Sequence, residues 1–255
     1  MAFQKLFFES TTGQKLAAQL DLPSDQGAMA YALFAHCFTC NKNYKAIANI
    51  SRALAREGIG VLRFDFTGLG ESEGDFADTD FSSNVADLGA AADFLKNEYE
   101  APKILIGHSL GGAAVLQAAA RIPSSVAVVT IAAPAEPTYV LRALAGTKER
   151  IEARGEAEVT IGGRTFKIKK QFLDDLEQTH MQETIHQLNR ALLVFHSARD
   201  NVVGIDNALQ IFEAARHPKG FISLDQADHL LSNQDDSLYV ASLIATWARK
   251  YIQKP

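Results

Sequence analysis

A chain of 255 residues, 47% apolar and 22% charged, can bury one sizeable core, which predicts a single domain over residues 1–255 with an insertion. A formal net charge of -5 argues against nucleic acid as a partner, since such proteins present a net basic face. The opening MAFQKLFFESTTG is too polar for a signal peptide, and no segment reaches the roughly 20 apolar residues that span a bilayer, so the expectation is a cytoplasmic protein with no membrane partner.

In chain order, residues 5–9 and 15–22 flank the turn-like Thr11-Thr12-Gly13-Gln14 and predict an N-terminal hairpin. Short runs rich in β-branched, aromatic or other apolar residues predict buried strands at 30–35, 59–64, 103–106, 126–131, 191–196 and 220–224. Helical periodicity lies between them: residues 43–57 carry Ile47, Ile50 and Leu54, and residues 81–97 carry Val85, Leu88, Ala92 and Leu95. This alternation predicts an α/β fold, with parallel strands joined by helical crossovers and a mixed edge at the hairpin.

The alternation stops after Ile131, where Pro134 and Pro137 open a segment of different character. A helix is expected over 139–154, then a hairpin with arms 158–161 and 165–168 around Gly162-Gly163. An amphipathic helix should follow, carrying Phe172, Leu173, Leu176, Met181, Ile185 and Leu188. Together, residues from about 134 to 190 read as a small cap inserted before the strand at 191–196. The chain should close with a helix over 237–252 and the tail Gln253-Lys254-Pro255.

The segment KILIGHSLGG at 103–112 puts an apolar strand before Gly107-His108-Ser109-Leu110-Gly111 and an Ala-rich helix after it. That is the setting of a nucleophilic serine on a sharp strand-to-helix turn, with glycines where side chains would strike the neighbouring strand and helix. A serine hydroxyl needs a base, and the base needs an acid to hold its tautomer. Asp200 follows the strand at 191–196 and His229 follows the strand at 220–224, so both fall on the edge where Ser109 sits. Asp200 could instead cap the helix near Ile205, although Asp206 is nearer for that task. Of the other histidines, His180 and His186 belong to the cap and His217 lies at the opposite edge. His108 inside the turn and His196 before Asp200 read as packing residues.

Two N–H groups must face a developing oxyanion. Leu110, after the serine, supplies one, and the loop His36-Cys37-Phe38-Thr39-Cys40 supplies the other from Phe38, with Cys37 as the alternative. Cys37 and Cys40 read first as packed reduced thiols. Their spacing also fits a redox pair, whose disulfide would disturb Phe38 between them, or a thiol redox module as the main activity. No metal and no cofactor are expected: two cysteines without clustered histidines make no usual zinc site, and RFDFTGLGESEG at 63–74 lacks both nucleotide-loop patterns.

The Gly107 to Gly111 turn, the DFTGLG turn at 65–70 and the late Asp200 and His229 resemble the α/β-hydrolase superfamily over nearly the whole chain. HCFTCNKNY, RFDFTGLGESEGDF, GHSLGGAAV, QFLDDL, VGIDNA and ADHLLS are similar to the hydrolase domain that precedes an OsmC-like peroxide-reducing domain in bacterial bifunctional proteins. The resemblance implies an eight-stranded, mostly parallel sheet flanked by helices and a triad of Ser109, Asp200 and His229. It also implies carboxylesterase activity on short acyl esters, with a small-molecule ester as substrate and an OsmC-like domain as a C-terminal partner. An acyltransferase or amide hydrolase would use the same residues.

Overall fold

The computed structural model describes residues 2–24, 27–161 and 163–253. The first strands, β1 (Ala2–Glu9) and β2 (Lys15–Leu22), form the expected antiparallel hairpin. The chain continues through β3 (Ala30–Ala35), α1 (Lys45–Arg56), β4 (Ile59–Phe64), α2 (Phe81–Glu98), β5 (Ile104–His108), α3 (Leu110–Ala118) and β6 (Ala127–Ile131). After the insertion come β9 (Ala191–His196), α7 (Asp206–Ala214), β10 (Lys219–Ser223) and α8 (Gln234–Ile252). Eight strands make one sheet in the order β1-β2-β4-β3-β5-β6-β9-β10, antiparallel from β1 to β4 and parallel from β4 onward. This is the α/β-hydrolase fold. No helix among the described residues is long and apolar enough to cross a membrane.

Two apolar layers hold the sheet. On one face, Ile47, Ile50 and Leu54 of α1 and Val240, Ile244 and Ala248 of α8 meet Phe34, Val129 and Phe195. On the other, Val85 and Leu88 of α2 and Val115 of α3 meet Leu33, Leu105 and Val128. Fully burying a side chain of this size contributes about 1.5–3 kcal/mol, so these layers supply most of the drive to fold. Local chemistry sets the ends: the Asp80 carboxylate accepts from the Ser83 N–H at 2.7 Å while the Asp80 N–H donates to Ser83 Oγ at 2.9 Å, a reciprocal cap that starts α2.

The insertion departs from its expected elements in two places. In place of one helix over 139–154 there is a tight 3-10 stretch, Pro137–Leu144, followed by the short α4 (Lys148–Arg154). Gly146 lies between them at φ 81, a left-handed conformation that ends helical propagation. The amphipathic segment after the hairpin is likewise two helices, α5 (Lys170–Gln178) and α6 (Met181–His186). The Glu136 carboxylate accepts the Met181 N–H at 3.0 and 3.2 Å, which starts a new helix and leaves Thr179 and His180 extended. The hairpin is present as β7 (Glu156–Ile161) and β8 (Arg164–Lys169), but Gly162 of its expected turn lies outside the described residues, as do Lys254 and Pro255.

The cap segment shares the main core. Leu144, Ile151, Phe166, Phe172 and Leu176 belong to the same apolar cluster as α2 and α3. Under it, Asp87 of α2 accepts from the Thr67 N–H at 2.9 Å and from Thr67 Oγ1 at 3.1 Å, fixing the DFTGLG turn to the helix. Burial pushes the Asp87 carboxyl up to about 6 from 3.8, against the pull of the two Thr67 bonds. A folded-state value above the unfolded one means stability that is present below pH 3.8 and lost as pH rises through about 6. Asp87→Asn, uncharged throughout, should remove up to about 3 kcal/mol of that pH dependence. Urea unfolding of both proteins across the window checks it, and parallel stability curves would refute it.

Candidate active site

Ser109 sits between β5 and α3 at φ 54, ψ -127, a conformation that non-glycine residues rarely adopt. The turn holds because the Ser109 N–H donates to Ile131 O at 2.9 Å and the Gly112 N–H donates to Ser109 O at 2.8 Å. The flanking glycines allow close contact: a Cβ on Gly107 would lie 2.2 Å from Gly111 O, and one on Gly111 would lie 2.4 Å from His36 O. Neither could be accommodated without moving backbone.

The fold brings the three expected side chains together. His229 Nε2 lies 3.0 Å from Ser109 Oγ, and His229 Nδ1 lies 2.8 Å from Asp200 Oδ2. All three residues are buried. Asp200 Oδ1 accepts from the Val202 and Val203 N–H groups, each at 2.9 Å. Burial alone would push the Asp200 carboxyl up; the hydrogen bond and charge of His229 and these two N–H groups hold it below the usual carboxylate range. Asp206 is the first residue of α7, whose N-cap is Ile205 with no side-chain cap hydrogen bond, so the capping role weighed for either carboxylate is not taken by Asp206. Such an arrangement can pass a proton from a serine hydroxyl to an imidazole whose tautomer is fixed by a carboxylate.

The loop after β3 faces this relay. Neither the Phe38 nor the Leu110 N–H donates to a protein acceptor among the described residues, and the Cys37 N–H is equally free. Cys37 and Cys40 are joined in a disulfide, with Cα atoms 5.3 Å apart, so the reading as reduced thiols is corrected. The cause is local: the Cys40 N–H donates to Cys37 O at 3.1 Å, and this turn brings the two Cα atoms within disulfide range. The pair opens no helix, because α1 starts only at Lys45, unlike a thioredoxin-like motif.

The loop is held from both sides. The Phe38 ring stacks on Phe172 at 5.4 Å and tilts against Phe76 at 5.6 Å, so the cap roofs the loop directly. Below it, the Lys42 N–H and Nζ each reach the Asp65 carboxylate at 2.6 Å. Arg63 Nη1 donates to Lys42 O, and its Nε donates to Asp21 Oδ2 at 2.8 Å. Lys42, Arg63, Asp65 and Asp21 are all buried. Sequence reasoning gave Asp65 only a turn-forming role and passed over Lys42; the one available signal was a lysine between two asparagines immediately after the loop. No cluster of potential metal ligands occurs among the described residues.

Comparison with known proteins agrees with the fold. The family model described as serine aminopeptidase, S33, matches residues 32–147. The solved esterase domain of a Rhodothermus marinus protein is 51% identical, with a TM-score of 0.81 over 99% of this chain and 100% of that one. The chain belongs to the α/β-hydrolase superfamily. Among curated proteins, the mitochondrial palmitoyl-protein thioesterase ABHD10 of Mus musculus is 28% identical over 188 residues, which is 70% of this chain and 62% of that protein. The chain thus spans less than two thirds of that relative. Est1E of Butyrivibrio proteoclasticus, solved with ferulic acid, shares the fold at 18% identity and TM-score 0.81.

The contact at Gly111 can be tested directly. Gly111→Ala should lower the melting temperature and slow fluorophosphonate labelling of Ser109, because overpacking against backbone costs about 1–3 kcal/mol or more. Gly89→Ala, whose Cβ meets nothing within 4 Å, should leave both unchanged or raise the melting temperature slightly. Equal behaviour of the two variants would contradict the packing argument.

Proposed function

We propose that this protein is a serine carboxylesterase that cleaves short acyl esters. Ser109 attacks the carbonyl carbon, His229 takes the hydroxyl proton and returns it to the leaving alcohol, and Asp200 holds the imidazole. The N–H groups of Leu110 and Phe38 receive the oxyanion, and water then releases the acyl group from Ser109 by the same route in reverse. The observation that carries this reading is the continuous line of hydrogen bonds from Asp200 Oδ2 through His229 to Ser109 Oγ, at 2.8 and 3.0 Å, beginning on a strained serine. The Rhodothermus marinus likeness favours an ester as the bond cleaved.

The preference for short acyl groups is supported by the charges of the insertion, Lys167, Lys169, Lys170, Asp174 and Asp175, which leave it limited apolar area for a long acyl chain. A second reading is thioester cleavage with a longer acyl chain, favoured by the name of the ABHD10 relatives. The serine aminopeptidase profile similarly favours an amide bond. A ladder of p-nitrophenyl esters, a palmitoyl thioester and a p-nitroanilide, assayed side by side, separates the three. Acetyl to butyryl esters should give the highest kcat/KM, and a maximum at ten or more acyl carbons would transfer the assignment to the long-chain reading.

The roles of the residues have their own test. Ser109→Ala should lower turnover by about 10³-fold or more with the fold intact. Asp200→Asn should cripple turnover while Asp206→Asn should not. Ser109→Ala activity above about a tenth of wild type would remove the nucleophile from this scheme, since a lost triad member costs far more than that.

A further inference from the structure

Three buried histidines stand outside the Ser109, His229 and Asp200 line, His36, His108 and His196, and the last two are bonded alike. His108 ends β5 and points Nε2 at the main-chain oxygen of His229, 2.7 Å away. His196 ends β9 and points Nε2 at Val203 O, 2.8 Å away. A carbonyl oxygen can only accept, so each ring carries its proton on Nε2 and is a donor. In both rings Nδ1 is buried without any partner. The two carbonyls belong to the segments that carry the base and the acid: His229 itself, and Val203, whose N–H donates to Asp200 Oδ1.

We propose that His108 and His196 are positioning residues that fix the Ser109, His229 and Asp200 geometry by tying the base and acid loops to the strand ends beneath them. The proposal rests on the roles assigned to those three residues above. His229 lies in irregular chain between β10 and α8, where the Ala227 N–H to Leu224 O and Leu231 N–H to Asp228 O turns are its local supports. His108 is covalently next to Ser109, so its bond to His229 O is a very short link between nucleophile and base. A misplacement of about 1 Å at such a site can cost about 10²-fold in rate.

The histidine type, and not merely a donor, suits the place. With nothing to receive a second proton at Nδ1, protonation is disfavoured and the ring stays neutral. Burial first, and the neighbouring His229 second, bring His108 down to about 3; its Asp200 neighbour pulls the other way and His36 adds to the lowering. Burial also lowers His196, against its bond to Val203 and the charge of Asp200, with His229 lowering and Asp206 raising it. A charged ring at position 108, whose centroid is 5.2 Å from that of His229, would oppose the imidazolium that forms on the base. A charged ring at position 196, with Nε2 3.6 Å from Asp200 Oδ2, would compete with His229 for the acid.

The test compares wild type, His108→Leu and His108→Gln by kcat, KM and the rate of fluorophosphonate labelling, with His196→Leu and His196→Gln in parallel. Leucine should lower kcat and labelling by about 10²-fold with KM within about twofold, and glutamine, whose Nε2 can reach the same carbonyl, should recover at least about tenfold of the loss. No loss in leucine, or loss without recovery in glutamine, overturns the proposal. If the leucine variants fail to fold, nitrogen-15 spectra of wild-type histidines decide: His108 and His196 should remain Nε2–H tautomers between about pH 5 and pH 9, and an Nδ1–H tautomer or a midpoint in that range overturns it. A wild-type protein left unlabelled at Ser109 would overturn the nucleophile assignment instead, while the tautomers would still be read independently.

Discussion

The bond from the Ser109 N–H to Ile131 O decides where everything else in the site can stand. It pins a residue at φ 54 against the end of the neighbouring strand, in a conformation costing about 1–3 kcal/mol that persists only where its surroundings over-determine it. The surroundings here are backbone: Gly107 against Gly111, and Gly111 against the carbonyls of Ala35 and His36. Because these contacts join β3, β5 and β6, the serine hydroxyl, the loop after β3 and the strand that pairs with β9, after which Asp200 lies, share one rigid frame. Movement of any of them would have to break main-chain packing.

Beneath that frame lies a set of buried charges that hydrophobic packing alone would not select. Lys42 with Asp65, and Arg63 with Asp21, are removed from water, and such pairs contribute little to net stability after desolvation. Their value is in placement. Asp65 accepts from the main chain at Lys42 and at Glu71, and Arg63 donates to Lys42 O. One carboxylate therefore ties the loop after β3 to the turn after β4, and the guanidinium closes the other side. An apolar substitute could fill the volume but could not hold a loop by its amide groups.

This difference between filling and holding explains which parts were legible in the sequence. The strands Ala30–Ala35, Ile59–Phe64 and Ala191–His196 were found to the residue because they are buried on both faces, so a run that is apolar but for Arg63 and the terminal His196 marks them. β5 runs on to His108, past the expected end at Ile106, because Gly107 and His108 carry no strand signal although the sheet encloses them. The meeting of Ser109, Asp200 and His229 was legible from topology, since parallel strands deliver their following loops to one edge. The break at Gly146 was hidden because Leu141, Leu144 and Ile151 keep helical spacing across it. Lys42 and Asp65, 23 residues apart, carried no pattern that names them as partners. The role of His108 was hidden for the same reason: its acceptor is a main-chain oxygen 121 residues away, and no side-chain identity records that.

The cap completes this argument, because it acts on the same loop from the opposite side. Phe38 is bracketed by the Cys37–Cys40 disulfide, stacked under Phe172 and set against Phe76, while Arg164 of the cap hairpin donates to Thr39 O at 3.3 Å. The disulfide, expected from the sequence to disturb Phe38, is present together with the packing of Phe38 on Phe172 and Phe76, so four restraints act on so short a loop. A loop held before any substrate arrives is the condition under which an oxyanion is stabilised without reorganisation. Phe76 and Phe172 belong to the main apolar cluster, so the aromatic roof over Phe38 cannot be lifted without opening the core above α2 and α3. The cap segment that places Phe172 on Phe38 and Arg164 on Thr39 O thus helps hold this loop in place, and on the function proposed here stabilisation of the transition state depends on that packing.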